Sequence, residues 1–332
     1  MTVLVTGAAG FIGMHVVRAL LVRGQRVIGV DNFNDYYDIR LKEARIVHLG
    51  IAPAFSLERV DIADRSAMED LFRRYPDITG IVHLAAQAGV RYSLENPYAY
   101  VQSNLMGQVV MLEGARHLSG LRHFVYASSS SVYGGNEKQP FAVGDTVDRP
   151  ASLYAATKRA DELMVRTYSH LYGLPATGLR FFTVYGPWGR PDMAPFLFTD
   201  AVAAGRPIRV FNHGQMWRDF TYIDDIVAGI VAALDKPATP APDLPGGDVV
   251  PHRLYNLGNS RPERLLDFIA TIESALGRQA EKIMEPMQPG DVPATYADIA
   301  ASTADLGYVP RIPMEEGVRR FVEWYRAFYK PS

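Results

Sequence analysis

Short apolar runs alternate with stretches of helical period along the first half of this chain. The runs at 3–6, 26–31, 55–60, 80–84, 123–127 and 177–182 are rich in β-branched and aromatic residues and end on turn residues, which predicts strands. Between them, residues 11–23, 65–75, 98–117 and 153–171 repeat their apolar positions at helical spacing, which predicts helices. The strands are apolar almost throughout instead of alternating, the mark of a sheet covered on both faces. Such strands in alternation with helices predict an α/β fold built on a doubly wound parallel sheet. After about residue 183 the pattern loosens. Helices are predicted at 195–204, 225–234, 263–276 and 315–327, with short strands at 208–211 and 254–257, so a smaller C-terminal α/β lobe is expected. The expected division is 1–182 and 183–332, with segments free to interleave. Residues 236–251 hold five prolines and two glycines and read as a surface loop.

Composition narrows the chemistry. The 332 residues carry 34 Lys and Arg against 36 Asp and Glu, a net charge of -2. No basic field exists for nucleic acid or an anionic membrane, so any anionic ligand must be met by a few local arginines. With no cysteine, disulfides, thiolate nucleophiles and cysteine-bound zinc are excluded, and no metal site is expected. Cysteine-free composition fits the cytoplasm. The N-terminus enters the first strand without a basic leader, and no apolar run reaches the length of a membrane span.

The first strand runs into Thr6-Gly7-Ala8-Ala9-Gly10-Phe11-Ile12-Gly13, which opens the first helix. Glycines in such a turn let the backbone approach a pyrophosphate, and the free N–H groups around Phe11 and Ile12 can bind its oxygens. The second strand ends at Asp31-Asn32, 18 residues after Gly13. A carboxylate at Asp31 accepts hydrogen bonds from ribose hydroxyls and repels a 2′-phosphate; no arginine adjoins it in sequence, which favours NAD over NADP. Asp61-Ile62 after the third strand could hold the adenine. Leu84-Ala85-Ala86 after the fourth are small enough for a cofactor to lie against the backbone.

Tyr154 and Lys158 stand four apart on a predicted helix, hence on one face. Ser128-Ser129-Ser130-Ser131 follows the fifth strand, at the end of the sheet where open α/β folds bind ligands. A phenol titrates near 10, and lowering it by about 3 units takes about 4 kcal/mol of differential stabilisation. A lysine ammonium and an oxidised nicotinamide, both positive, could supply that. The tyrosinate would take a hydroxyl proton while the dinucleotide takes the hydride from the same carbon, with Ser129 orienting or relaying the proton.

These residues resemble the extended short-chain dehydrogenase/reductase family of nucleotide-sugar epimerases and dehydratases. The resemblance spans nearly the whole chain: T-G-x-x-G-x-x-G at 6–13, H-L-A-A at 83–86, S-S-V-Y-G at 130–134, Y-x-x-x-K at 154–158 and R-D-F-x-x-I-D-D at 218–225. Within that family the stretches 31–38, 86–94, 179–193 and 287–292 are most similar to UDP-glucuronate 4-epimerases. The resemblance implies a Rossmann-type sheet, bound NAD, a UDP-sugar substrate and a homodimer. It implies Tyr154 as base, Lys158 as its electrostatic partner and ribose ligand, Ser129 near the reacting oxygen, Phe181 near the nicotinamide and Asn104 behind the cofactor. By the same carry-over Arg218 holds the diphosphate, and Arg190 and Arg91 meet diphosphate or carboxylate. Thr183 joins Ser129, Ser130 and Ser131 around the sugar, and Phe196, Val210 and Phe211 meet the uracil. Val101, Leu105, Val109, Leu112, Leu163 and Leu171 would pair with a second subunit.

Oxidising C4 of UDP-glucuronate leaves a ketone beta to a carboxylate, and such acids lose carbon dioxide readily. The resemblance implies that dehydratases and decarboxylases of the family carry acidic residues just before V-Y-G. Here Ser130 and Ser131 stand there, so no carboxyl group is placed to promote elimination. The expected reaction is therefore interconversion of UDP-glucuronate and UDP-galacturonate through a 4-keto intermediate. The alternatives are a UDP-hexose 4-epimerase, a UDP-glucuronate decarboxylase or, from another class, an NAD-sensing protein without catalysis.

Overall fold

The computed structural model describes residues 1–50, 52–242, 248–288 and 290–329. The first half contributes β1 (Thr2–Thr6), β2 (Arg26–Val30), β3 (Phe55–Glu58), β4 (Ile78–His83), β5 (His123–Ser129) and β6 (Ala176–Phe181). Their helices are α1 (Phe11–Val22), α2 (Ile39–Leu49), α3 (Arg65–Arg74), α4 (Tyr92–Glu95), α5 (Pro97–Tyr100), α6 (Gly107–Arg116) and α7 (Leu153–Tyr172). All six strands pair in parallel, and β12 (His252–Leu257) returns from the second half to pair with β6, giving the order β12-β6-β5-β4-β1-β2-β3. Alternate residues of one strand feed opposite faces: Val3 and Val5 belong to one buried cluster and Leu4 to another. A sheet packed on both sides needs this two-faced apolar pattern.

The rest of the second half holds β7 (Thr183–Tyr185), α8 (Ala194–Ala203), β8 (Ile208–Val210), β9 (Trp217–Tyr222), α9 (Ile223–Asp235), β10 (Ala241–Pro242), β11 (Val249–Val250), β13 (Pro262–Arg264), α10 (Leu265–Leu276), β14 (Lys282–Met284), α11 (Ala300–Leu306) and α12 (Met314–Tyr329). β13, β9 and β7 form a second sheet, and β14 pairs with β8. The proline-rich segment carries the antiparallel β10–β11 pairing at its two ends; its residues 243–247 lie outside the described residues.

Among the elements that differ from expectation, three do so for a physical reason visible in their residues. α2 escapes the apolar pattern because it is inverted there: Lys42 and Arg45 are buried with Leu41, while Val47 faces solvent. The helix predicted over 98–117 is interrupted by a π-helical turn, Val101–Met106, whose buried member is Asn104. β9 is hidden in sequence by Arg218 and Asp219 at its centre, yet Asp219 is fully buried. Its carboxylate accepts backbone N–H groups of Ser260 at 3.0 Å and Ala297 at 3.1 Å, so it ties together loops that no local pattern connects.

Candidate active site

At the carboxyl ends of the parallel strands lies a cleft of about 430 Å³. Its floor is the β1–α1 turn. Gly7 has φ +69°, and a Cβ at Gly13 would stand 1.9 Å from the Gly7 carbonyl oxygen, so side chains are excluded there. No side chain caps α1 and no acid occupies its first turn. Its N-terminal N–H groups thus remain for an anion in the cleft. Asp31 lines the same cleft, with Oδ2 accepting from Ala9 N at 3.0 Å and Oδ1 from Phe33 N at 2.9 Å. Each carboxylate oxygen keeps a lone pair for a ribose hydroxyl. Asn32 donates to Asp61 Oδ2 at 2.9 Å, and Ile62, Leu84, Ala85 and Ala86 complete this end. Uncapped helix, glycine turn and strand-end carboxylate together fit a dinucleotide.

The reacting end is built on α7 and the end of β5. Ser152 caps α7 by accepting from Ala155 N at 3.1 Å, which places Tyr154 and Lys158 in its first two turns. Both line the cleft, as do Ser129, Ser130, Ser131, Phe181 and Thr183. Lys158 is almost fully buried; its Nζ donates to Ala127 O and to Asp161 Oδ2, both at 3.0 Å. Ser129 Oγ accepts from Ser131 N at 3.2 Å, folding the serine run into a 3-10 turn. The Ser131 hydroxyl oxygen is buried and has no hydrogen-bond partner among the described residues. Beneath the turn, Glu162 takes a two-pronged contact from Arg180, at 2.7 and 2.9 Å, and the Ser128 hydroxyl at 2.6 Å. That network locks the end of β5 onto α7.

From the second half, Arg190 and Arg218 reach the cleft wall. Arg190 pairs with Asp192 through Nε at 3.0 Å and Nη2 at 2.5 Å, and Asp192 also accepts from the Tyr36 hydroxyl at 3.0 Å. Burial and the Asp192 charge push the Tyr36 phenol up to about 12, so it remains a donor. Arg218 donates to Asp291 at 3.0 Å.

Five expected site residues do not line the cleft. Asn104 sits behind its wall: it accepts from Gln87 N at 2.8 Å and donates to Gln87 O at 3.1 Å and Thr157 Oγ1 at 2.9 Å. Strand alternation turns Ile208 and Val210 inward and Arg209 outward, so the Val210 side chain belongs to the core. Phe196 faces α12, with its ring centroid 5.6 Å from that of Tyr325. Arg91 and Phe211 stack on one another at 4.7 Å, with Arg91 3.7 Å from Asp291, outside the lining.

Sequence reading missed Tyr36, Lys42, Arg45 and Asp192. No arginine adjoins Asp31 in sequence, but a lysine from α2 stands near it: Lys42 Nζ lies 4.0 Å from Asp31 Oδ1 and donates to Asn34 O at 2.8 Å. Arg45 is wholly buried and donates to Ala9 O at 3.0 Å and Trp188 O at 2.7 Å, joining the glycine turn to the segment that bears Arg190. A signal existed in sequence: cations where a helix should be apolar.

The chain matches the model of the NAD dependent epimerase/dehydratase family over residues 3–258. It is 48% identical over 337 residues to a probable UDP-glucuronate 4-epimerase of Rhizobium meliloti (strain 1021), covering 99% of this chain and 98% of that protein. It is 49% identical over 335 residues to UDP-glucuronate 4-epimerase 2 of Arabidopsis thaliana, covering 99% of this chain and 76% of the plant protein. Among solved structures it is similar to UDP-glucuronic acid 4-epimerase from Bacillus cereus in complex with UDP-glucuronic acid and NAD, with a TM-score of 0.89 and 34% identity over 99% of this chain and 100% of that one.

Proposed function

This chain belongs to the NAD dependent epimerase/dehydratase family, and from that premise we propose that it interconverts UDP-glucuronate and UDP-galacturonate by inverting C4. Bound NAD⁺ supplies a hydride acceptor and, once reduced, the matching donor. Residues 1–182 hold it: the α1 N-terminus takes the pyrophosphate and Asp31 the adenosine ribose, while Asp61 and Ile62 flank the adenine. Tyr154 would take the proton of the C4 hydroxyl as C4 becomes a ketone and would return it once the keto sugar has turned its other face to the nicotinamide. Lys158 stabilises the phenolate, and Ser129 orients the reacting oxygen. Arg218 binds the diphosphate. Residues 183–332 supply this nucleotide-sugar side, with β12 returning to the first sheet.

The observation that carries the choice of sugar is the polar character of the wall beside Tyr154. Ser130, Ser131, Thr183 and Arg190 line the same cleft as Tyr154, and the buried Ser131 hydroxyl has no protein partner among the described residues. The carboxylates lining the cleft are Asp31, Asp61 and Asp291; the first two belong to the adenosine end, and Arg218 engages the third. The acid beside this wall, Asp192, is held as an anion by Arg190 against its burial, so the wall offers donors to a C6 carboxylate and no proton to a leaving group. The enzyme acts as a homodimer in the cytoplasm, pairing through the exposed Leu163 and Leu171 of α7 and Val101 and Met106 of the π-helical turn. Leu112 drops out of that surface because it is buried in its own subunit.

The test of the chemistry is Tyr154→Phe. The ring still packs against Tyr100, 6.0 Å away between centroids, while the proton acceptor is gone. Turnover of UDP-glucuronate is expected to fall at least about a thousandfold, roughly 4 kcal/mol of barrier, with NAD retained. A variant keeping a tenth of the rate would remove Tyr154 from its role.

A further inference from the structure

Asp161 lies one helical turn beyond Lys158 on α7, is fully buried, and takes no part in the reaction just described. Its Oδ2 accepts from Lys158 Nζ at 3.0 Å. Its Oδ1 has no hydrogen-bond partner among the described residues. A buried carboxylate normally gathers several donors, because its desolvation is otherwise uncompensated. The neighbouring Glu162 does so: it engages Arg180, Ser128 and Arg159, the last at 3.1 Å. Glu162 is therefore already neutralised by arginines, whereas Asp161 faces a single cation, the one whose charge the proton transfer requires.

We propose that Asp161 is the counter-ion that keeps Lys158 protonated, a positioning residue that sets the alkaline limit of turnover without touching substrate or cofactor. A buried ammonium is disfavoured by its own desolvation. Burial pushes Lys158 down; the charge and hydrogen bond of Asp161, the nearest anion, act with the Tyr154 and Glu162 charges to hold the lysine above its ordinary value. Burial raises Asp161 to about 6, so it is an anion at neutral pH and above, where the pair must act. Of the other titratable groups around the pair, none among the described residues is a carboxylate hydrogen-bonded to Lys158, and the acid that adds to its charge, Glu162, is shared with arginines. On α7 these are Tyr154, the engaged Glu162 and Arg159. On β4, His83 is kept neutral, pushed down to about 3 by burial and by Lys158. On β5, Tyr126 is held protonated by burial. On β6, Arg180 is bound to Glu162; on α5, Tyr100 is raised by burial. On α6, Glu113 and Arg116 pair with each other at 2.8 Å.

The proposal rests on the reading of Tyr154 and Lys158 as the proton-transfer pair. Its test is the pH profile of kcat/KM for UDP-glucuronate in the NAD-loaded enzyme, measured for the parent, Asp161→Asn and Asp161→Ala. Without the carboxylate, Lys158 loses its proton earlier as pH rises. The high-pH limb is expected to descend about one pH unit or more sooner in both variants, an opposite charge at this range being worth about 1–3 units. On that limb the rate falls about tenfold or more below the parent, while near-neutral turnover changes far less. The two variants differ in shape but not in charge change, so a folding defect in one, seen in its thermal melt, leaves the other to decide. A limb unmoved from the parent, even with a uniformly lower rate, would reduce Asp161 to packing and overturn the proposal. An active Tyr154→Phe enzyme would instead bring down the reading beneath it, so the two failures are distinguishable.

Discussion

Charge buried beside α7 is handled residue by residue, and pH acts on each carboxylate differently. Glu162 is pushed up by burial, yet the Arg180 fork and the Ser128 hydroxyl outweigh that and hold it below its ordinary value. A carboxylate with a depressed folded value contributes stability above its unfolded pKa, and that stability is lost as pH falls through the folded one. Glu162 thus supports the fold at neutral pH and withdraws support in acid. Glu162→Gln leaves Arg180 buried without an anion and is expected to cost about 3–5 kcal/mol; urea unfolding at pH 7 measures it, and a loss under 1 kcal/mol would make the pair marginal. The hydroxyl wall gives a second expectation. A hydrogen bond to a charged group is worth about 1.5–3 kcal/mol, so Thr183→Ala should erode the preference for UDP-glucuronate over UDP-glucose by roughly tenfold to a hundredfold. Competitive turnover of the two sugars reads this, and an unchanged ratio would take Thr183 out of carboxylate binding. Residues such as Tyr154 and Lys158 were legible because their chemistry demands a local spacing. Arg45 and Asp192 were not, since each is fixed by a contact far away in sequence: Arg45 reaches Trp188, and Asp192, beside its neighbour Arg190, is reached by Tyr36.

Among the elements, legibility followed burial pattern. β1, β2, β4, β5 and β6 are apolar on both faces and were read nearly to their ends. α2 carries buried cations and was missed, and the π-helical turn cannot be seen in periodicity because the apolar positions continue through it. That turn has a job the periodicity hides. It brings Asn104 inward to hold both backbone groups of Gln87 and the Thr157 hydroxyl, and π turns recur at functional sites for such reasons. Asn104→Ala strands these groups, each unpaired one costing about 1–3 kcal/mol. A lower melting temperature with weakened NAD retention is expected, because Gln87 belongs to the cleft wall. Unaltered NAD binding in a destabilised protein would confine Asn104 to the scaffold.

At the scale of the whole molecule, the doubly wound sheet was legible and its seventh strand was not. The run at 254–257 showed a strand, but nothing local says that β12 leaves its neighbours to pair with β6. The exposed faces of α7 and the π-helical turn make an isologous dimer the expected assembly, since Leu163, Leu171 and Tyr172 would otherwise face water. Light scattering should give twice 36.8 kDa, and Leu163→Glu with Leu171→Glu should halve it; a monomeric parent would remove the dimer from the account.

The reaction itself is tested most directly by NMR analysis of the products formed from UDP-glucuronate by the purified, NAD-loaded protein. UDP-galacturonate is expected, with the same final ratio reached from either sugar and no net loss of the carboxyl carbon. Conversion mainly to a UDP-pentose, or epimerisation of UDP-glucose with UDP-glucuronate left untouched, would contradict it.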